Sequence, residues 1–118
     1  MRQSTLHRRR ALYAEALAVI ERDYRDAYLS LASVAHSIAT SRRQLQRVFG
    51  ERDTSFRVEL QRVRMERAAE LLRRDGIPVG SVARAVGYRQ PAQFSKAFRR
   101  HHGCSPSEVR ATARSLAA

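Results

Sequence analysis

Residues 30–49 read SLASVAHSIATSRRQLQRVF and decide the fold, because they encode two short helices joined by a tight turn. The first helix carries an apolar stripe at helical spacing: Leu31, Val34, Ala35 and Ile38. Ser30 stands where an N-cap residue is needed. The second helix begins at Ser41, since Ser41 followed three residues later by Gln44 is a capping-box pattern. Only two residues separate the helices, so the stretch predicts a helix-turn-helix.

The same pattern returns in the second half of the chain. The apolar positions of the two first helices match 48 residues apart: Val34, Ala35 and Ile38 against Val82, Ala83 and Val86. Those of the two second helices match 49 residues apart: Leu45, Val48 and Phe49 against Phe94, Ala97 and Phe98. Gly87 lies in the second turn, and the next helix begins at Gln90 or Pro91, since proline suits the first helical position. Four short helices in the same order indicate a duplicated helix-turn-helix.

Two longer helices accompany the repeated pair. The first is expected over roughly residues 7–25, where an apolar stripe is formed by Tyr13, Ala16, Leu17, Ile20 and Tyr24. The other is the fourth helix, expected from about residue 55 to residue 74 and ended by DGIP at 75–78. At 1.5 Å per residue it spans roughly 28 Å, which makes it a spacer as well as a core element. We therefore expect an all-α chain in three parts: residues 1–54, a linker helix over 55–74, and residues 75–118.

The charge balance points to a polyanionic partner. The chain carries a formal net charge of +12 and a pI of about 11.5, which favours nucleic acid first and an anionic membrane surface second. No apolar run approaches the roughly 20 residues that span a bilayer. Glu15 and Glu21 interrupt the stretch that would serve as a secretory signal. The single cysteine, Cys104, excludes an intramolecular disulfide and suits a reducing cytoplasm.

The second helix of the first unit has the composition of a DNA recognition helix. With its apolar stripe turned to the core, its opposite face presents Arg43, Gln46, Arg47 and Gly50. Arginine pairs with guanine O6 and N7, and glutamine with adenine N6 and N7, so we expect the first three to contact bases. Arg42, in the first turn, is expected to contact a phosphate. Gly50 has no side chain, so another molecule can approach its backbone. Taken alone, these residues would also suit the solvated surface of a small bundle.

The matching helix of the second unit offers fewer side chains that read bases. The expected base contacts are Ala92 to a thymine methyl, Gln93 to a base, and Lys96 to a guanine or a phosphate. Four more residues, towards the helix end and beside the turn, are expected to contact phosphates: Arg99, Arg100, Arg89 and Gln90. Since Lys96 is the only lysine, charge clustered on one face is more informative than the choice of arginine. We expect the first unit to carry more of the sequence information.

The residue patterns of enzymes and metal sites are missing from the sequence. His101, His102 and Cys104 lie together, but adjacent histidines at a helix end point in different directions and no second ligand cluster completes four-coordination. We find no glycine-rich phosphate loop, no paired carboxylates and no Ser/His/Asp arrangement. We therefore expect no catalytic residue, no metal and no cofactor.

Three stretches together resemble the DNA-binding domain of the AraC/XylS family of bacterial transcription regulators. They are residues 30–49, residues 64–72 (RMERAAELL) and residues 79–110 (VGSVARAVGYRQPAQFSKAFRRHHGCSPSEVR). The most specific features are A-x-x-x-G-[FY] at 83–88, F-[ST]-[RK]-x-F-[KR] at 94–99 and G-x-S-P at 103–106. The resemblance covers most of the chain, and the helix at 7–25 is similar to the first helix of the same domain.

The resemblance implies seven helices, with two helix-turn-helix units joined by the long fourth helix. Both recognition helices would enter successive major grooves of an asymmetric DNA site. The family's base-contact positions fall on Arg43, Gln46 and Arg47 in the first unit and on Ala92, Gln93 and Lys96 in the second. The sequence departs from the family at Ala39, where glycine is frequent, at Pro91 and Ala92, where polar residues are common, at Val109, where an aromatic is usual, and over 50–55, which is one residue short.

Three functions are compatible with the sequence. The first is a cytoplasmic transcription regulator, an activator or a repressor, that binds double-stranded promoter DNA sequence-specifically and recruits or positions RNA polymerase. The size fits either a stand-alone regulator, which would bind its asymmetric site as a monomer, or the DNA-binding part of a longer protein. The second is a non-specific architectural protein whose affinity for DNA or RNA is nearly sequence-blind. The third is a helical protein-interaction module, against which the duplicated helix-turn-helix argues.

Overall fold

The computed structural model describes residues 2–74 and 76–117, and within them all regular structure is helical. The seven helices are α1 (Arg2–Asp23), α2 (Leu31–Ser37), α3 (Arg42–Gly50), α4 (Phe56–Arg73), α5 (Val79–Ala85), α6 (Pro91–His102) and α7 (Pro106–Ala117). The prediction of an all-α fold with seven helices is therefore confirmed. In this part of the chain, no helix combines the length and the apolar character that crossing a membrane requires.

Helix α1 starts earlier than its apolar stripe suggested, at Arg2 instead of near residue 7, and it ends at Asp23. Its first turns carry no apolar stripe, so hydrophobic periodicity could not reveal them, although arginine and glutamine favour helix. The residues that α1 and the position after it bury recur every three or four places: Leu12, Ala16, Val19, Ile20 and Tyr24. Tyr13 and Leu17, expected on the same stripe, are half-buried.

Contacts along the described chain divide it into two compact units, and the boundary falls within α4, after Leu60. The first unit contains α1, α2, α3 and the beginning of α4. The second contains the rest of α4 with α5, α6 and α7, together with the short segment Arg25–Ala27. Each unit therefore includes one complete helix-turn-helix and part of the long helix.

In the first unit, α1 and α2 both pack against α3. Helix α3 buries Leu45, Val48 and Phe49 almost completely. The Phe49 ring meets Tyr13 of α1 edge-on, with ring centroids 5.5 Å apart, and meets Phe56 of α4 at 6.4 Å. Burial of each such side chain contributes roughly 1.5–3 kcal/mol. This packing determines which face of α3 is turned to solvent.

In the second unit, Phe94 and Phe98 of α6 form the corresponding anchor. Both rings are fully buried and their centroids lie 5.8 Å apart. Tyr88, the residue after the turn, meets Phe94 edge-on at 5.7 Å. The α6 stripe predicted from the repeat is therefore the packed face of this helix, and only Ala97 of the predicted triplet is half-buried.

Backbone carbonyls of α4 receive side chains from the C-terminal helices. The Nε2 atom of His102 lies 2.9 Å from the carbonyl oxygen of Met65, and the Nε–H of Arg110 donates to the carbonyl of Leu72 at 3.3 Å. A hydrogen bond of this kind contributes about 0.5–1.5 kcal/mol. The two contacts therefore fasten α6 and α7 to the part of α4 that belongs to the second unit.

Arg64 of α4 is a buried charged residue, with 9% of its surface exposed. Its Nη2–H donates to the carbonyl oxygen of Asp26 at 2.9 Å, and its guanidinium lies 5.6 Å from the centre of the Tyr88 ring. Burial lowers the pKa of the Arg64 guanidinium, which the nearby Tyr88 and Asp26 partly offset. Arg64 thus ties the segment Arg25–Ala27 to the second unit.

The two helix-turn-helix turns share one backbone arrangement. The N–H of Ala39 donates to the carbonyl of His36 at 3.2 Å, and the N–H of the next residue donates to that of Ala35 at 2.9 Å. The corresponding bonds of the second unit, which begin at Gly87, measure 3.1 and 2.9 Å. This is the Schellman motif, which needs a left-handed residue after the helix. That residue is Gly87 (φ +94°) in the second unit but Ala39 (φ +57°) in the first.

Candidate nucleic-acid interface

The start of α3 is fixed by side-chain caps, as the sequence predicted. The Ser41 hydroxyl accepts a hydrogen bond from the N–H of Gln44 at 3.0 Å. Helix α2 is capped by Ser30, whose hydroxyl accepts from the N–H of Ser33 at 3.1 Å while the Ser33 hydroxyl accepts from the N–H of Ser30 at 3.0 Å. Both helices of the first unit therefore begin at defined residues, which fixes the orientation of the α3 side chains relative to its buried stripe.

The residues predicted to read bases from α3 lie on one solvent-facing side. Arg43, Gln46 and Arg47 are exposed, and the buried stripe of the helix lies opposite them. Arg42, predicted to contact a phosphate, is exposed in the first turn. The first turn contains no acidic residue, so nothing there offsets the partial positive charge of the helix N-terminus. The arrangement suits an anion or an electronegative base edge.

The N-termini of α2 and α3 border a common open groove. Its volume is about 870 Å³, and its lining comprises Ser30, Leu31, Ala32, Arg42, Arg43 and Gln46. Three of the residues predicted to contact DNA therefore meet in a single concave surface of the first unit. The other three, at the start of α2, were not predicted to contact DNA. The sequence identified Ser30 only as the residue that caps this helix, and it gave no signal for the two residues that follow.

On α6 of the second unit and in the turn before it, the predicted residues are also exposed. Those expected to contact bases are Ala92, Gln93 and Lys96, and those expected to contact phosphates are Arg89, Gln90, Arg99 and Arg100. Gln90 is the N-cap position and Pro91 the first helical residue, as predicted. The last turn of this helix is strongly basic, and its end is closed by Gly103 in the left-handed conformation. The exposed surface of α6 therefore carries more positively charged side chains than side-chain amides that could read a base.

Ion pairing separates the predicted DNA-contacting cations from other arginines. Elsewhere, arginines pair with carboxylates: Arg9 with Glu51, Arg22 with Asp23, Arg62 with Glu66 and Arg67 with Glu70, at 2.8–3.4 Å. Within the described residues, six predicted contact residues form no such pair: Arg42, Arg43, Arg47, Lys96, Arg99 and Arg100. Their charges are therefore available to an external anion.

His102, which lies beside this surface, belongs to the packing of the second unit, whereas His101 is exposed. The His102 ring lies 4.4 Å from that of Phe98, centre to centre, and its Nε2 atom is occupied by the Met65 carbonyl. Burial lowers the pKa of His101, and its neighbour His102 lowers it further. Across the described ranges, no three or more His, Cys, Asp or Glu side chains converge to hold a metal ion.

One contact of the first unit was not visible in the sequence. The guanidinium of Arg52, which follows α3, lies 4.0 Å from the centre of the Tyr13 ring on α1. Such a cation–π contact contributes about 0.5–1 kcal/mol at an exposed site. Arg52 therefore stabilises the end of α3 and is not one of the cations available to an external anion. Because Arg52 and Tyr13 lie 39 positions apart, no sequence pattern predicted this contact.

Comparison with known proteins places this architecture among transcription regulators. A helix-turn-helix domain family matches residues 34–112. The chain is 42% identical over 89 residues to the RCS-specific HTH-type transcriptional activator RclR of Escherichia coli K12, a match that covers 75% of this chain and 30% of that protein. The chain spans less than a third of the length of the curated relatives that it resembles.

Two solved structures have the same fold. An AraC-type DNA-binding transcriptional regulator from Chromobacterium violaceum superposes with a TM-score of 0.81 at 28% identity, covering 88% of this chain and 93% of that one. The DNA-binding domain of the global transcriptional factor AdpA, crystallised with a target DNA, gives a TM-score of 0.78 at 27% identity, covering 87% and 93%. The second structure is similar to this chain and holds DNA.

Proposed function

The chain belongs to the AraC-type family of helix-turn-helix domains, and from this premise we propose that it binds double-stranded promoter DNA in a sequence-specific manner as part of a transcription regulator. The observation that carries the proposal is the exposed side of α3. There Arg43, Gln46 and Arg47 project away from a fully packed stripe, and the two arginines have no carboxylate partner among the described residues.

Base reading is assigned to α3 because its side chains match what the major groove displays. The planar guanidinium of Arg43 or Arg47 can donate two parallel hydrogen bonds to O6 and N7 of guanine. The Gln46 amide can donate to N7 and accept from N6 of adenine. Each such bidentate pair is worth about 1–3 kcal/mol of discrimination against a wrong base. Arg42, at the groove that α2 and α3 border, is assigned to a phosphate.

Helix α6 is assigned a smaller share of base reading and a larger share of backbone contact. Its expected base contacts are Ala92, Gln93 and Lys96, of which only the last two can form hydrogen bonds. Its expected phosphate contacts are Arg89, Gln90, Arg99 and Arg100, which are exposed. Phosphate contacts release condensed counterions, so they strengthen binding to every sequence and make the affinity depend on salt.

The proposal is tested by selecting duplexes from a random-sequence pool with the protein and measuring the affinity of variants for the selected duplex and for a scrambled one. Arg43→Ala and Arg47→Ala should each lose about 1–3 kcal/mol on the selected duplex and relax the preference at one base pair. Arg42→Ala should weaken binding to both duplexes alike. Arg22→Ala removes the same charge from an arginine that pairs with Asp23 at 2.8 Å, so it is the matched control and should bind like the parent.

Two outcomes would contradict the proposal. A parent protein that binds selected and scrambled duplexes equally at about 50 and 200 mM salt would be a non-specific architectural protein. Retention of full site discrimination by Arg43→Ala and Arg47→Ala would remove base reading from α3, even if the affinity fell.

The proposal also covers the protein partner of this chain and its stoichiometry on DNA. We infer that the protein acts in the cytoplasm as an activator that contacts RNA polymerase, by analogy with the activator named above, and that this chain binds an asymmetric site as a monomer. Sedimentation of the chain with one selected duplex should give a one-to-one complex. Transcription from a promoter that carries the site should rise on addition of the protein; a two-to-one complex, or repression, would refute the respective part.

A further inference from the structure

Gly50 is a glycine whose presence the packing of the first unit does not explain. It is the last residue of α3, it is exposed, and its backbone is not in the left-handed region, unlike that of Gly76, Gly87 or Gly103. A Cβ built on Gly50 would meet no atom within 4 Å. Alanine would therefore fit without strain, and alanine favours a helix more than glycine does. Neither backbone conformation nor close packing requires a glycine here.

The position of Gly50 on the helix indicates that the reason for a glycine lies in a contact outside the protein. Gly50 lies three residues after Arg47, four after Gln46 and seven after Arg43, so it shares their solvent-facing side. A recognition helix enters the major groove with its N-terminal residues, and its later turns pass the sugar–phosphate strand that borders the groove. The residue at the far end of the reading face is therefore the one that meets this strand.

The repeat shows that the second unit uses the same position differently. At the 49-residue spacing, Gly50 corresponds to Arg99 of α6, a long cation suited to reaching a phosphate from a distance. Glycine cannot reach out, but it removes the side chain that would keep the helix away. Since the Gly50 carbonyl already accepts the N–H of Asp53 at 3.0 Å, the atoms left to face DNA are those of the Cα methylene, which suit the apolar face of a sugar.

We propose that Gly50 is a DNA-contact position at which the Cα of α3 packs against a deoxyribose of the bound strand, and that the missing side chain sets how deeply α3 enters the major groove. This inference rests on the proposed function. It assigns α3 a van der Waals contact beside its hydrogen-bonding side chains, and it explains why a residue that weakens the helix stands on the reading face.

The experiment compares thermal unfolding and DNA affinity for Gly50→Ala and Gly50→Arg, with a duplex selected from a random pool as the probe. Gly50→Ala should unfold about 2–4 °C higher than the parent, yet bind the duplex about 10-fold more weakly, which corresponds to about 1.4 kcal/mol. Gly50→Arg should bind more weakly still, although it adds a positive charge.

Gly80→Ala is the matched control. Gly80 is also helical, with nothing within 4 Å of a built Cβ, and its counterpart in the first unit is Ala32, which already carries a side chain. This variant should become more stable and keep the parent affinity. Parent affinity in Gly50→Ala, or tighter binding by Gly50→Arg, would overturn the contact while leaving the proposed function intact. A parent protein without preference for the selected duplex would overturn both.

Discussion

Replacing Ala39 with glycine should stabilise the first helix-turn-helix. Ala39 is the left-handed residue of the Schellman cap that ends α2, with φ at +57°. Its N–H and that of the following residue satisfy the last carbonyls of the helix, so the turn cannot relax without losing hydrogen bonds of 3.2 and 2.9 Å. The second unit solves the same geometric problem with Gly87, at φ +94°. The first unit therefore stores strain that the second does not.

The size of the effect follows from two opposing contributions. The left-handed conformation costs a residue with a Cβ roughly 1–2 kcal/mol. Glycine removes that cost but gives the unfolded chain more conformational freedom, which offsets about 0.4–1 kcal/mol. The Ala39 methyl is exposed, so its removal sacrifices little apolar burial. The net stabilisation should be about 0.5–1 kcal/mol, or a rise of about 2–6 °C in Tm.

Thermal and urea unfolding, followed by far-ultraviolet circular dichroism, measure this difference. Gly87→Ala is the reciprocal control: it imposes the strain on the second unit, and since the same two contributions apply with opposite sign, it should lower the unfolding free energy by at least about 0.5–1 kcal/mol. Asp53, at φ +55° after α3, gives a graded comparison, because aspartate tolerates the left-handed region better than alanine. Asp53→Gly should therefore gain less than Ala39→Gly. An unchanged or lower Tm in Ala39→Gly, beside a destabilised Gly87→Ala, would refute the argument from strain.

Three further substitutions test the second unit. Arg64→Met should lower the unfolding free energy in urea by about 1–3 kcal/mol, because the Asp26 carbonyl loses its donor at 2.9 Å; no loss would show that the tie is dispensable. His102→Ala should cost about 1–2 kcal/mol through the 2.9 Å contact with the Met65 carbonyl, and His102→Gln less. The pKa of His101 in the folded protein lies below its unfolded value of 6.5. The stabilising contribution of the neutral ring is therefore fully present above pH 6.5 and is lost as the pH falls through the folded pKa. His101→Gln should therefore reduce the acid sensitivity of the unfolding free energy, by less than about 1 kcal/mol because the ring is exposed; an identical pH profile would contradict the sign.

Helices α2, α3 and α6 could be located from the sequence because each combines a start signal with an apolar triplet. Ser30, Ser41 and Pro91 mark helix starts through local hydrogen bonding or a fixed φ, and such signals need no knowledge of the rest of the chain. The first turns of α1 lack both kinds of signal. They are helical without an apolar stripe, so a method based on periodicity starts the helix too late.

Features that depend on distant residues could not be predicted in the same way. The burial of Arg64 follows from the return of the segment around Asp26 and from Tyr88, which lie 38 and 24 positions away. Arginine is seldom buried unless it is paired, so its composition argues for exposure. The residue pattern also shows an alanine in a tight turn at position 39 but not the sign of its φ; only the glycine that is frequent there in the resembled family pointed to this residue.

In the candidate site too, some features follow from local patterns, whereas others depend on residues that are distant in the sequence. Periodicity alone gives the exposed face of α3, since the buried stripe fixes the opposite side. Periodicity does not tell which of the many arginines already have carboxylates. Among the described residues, Glu51, Asp23, Glu66 and Glu70 pair with arginines other than those predicted to read bases. Charge composition made nucleic acid the leading partner, and it was the distribution of these pairs that separated the available cations from the neutralised ones.

The two units differ in a consistent direction, and this difference bears on how they share DNA binding. The first unit has a left-handed alanine in its turn, a left-handed aspartate after α3 and a glycine at the end of its predicted reading face. The second has glycines at its left-handed positions 76, 87 and 103, and arginines at the end of α6. Arginines that contact phosphates act on every sequence alike, whereas a close-fitting helix with base-reading side chains is sensitive to the base pairs beneath it. Strain at sparsely populated φ values persists only where the surroundings hold it, and it is found more often at binding sites. Discrimination is therefore expected to reside mainly in the first unit, and salt-dependent affinity mainly in the second.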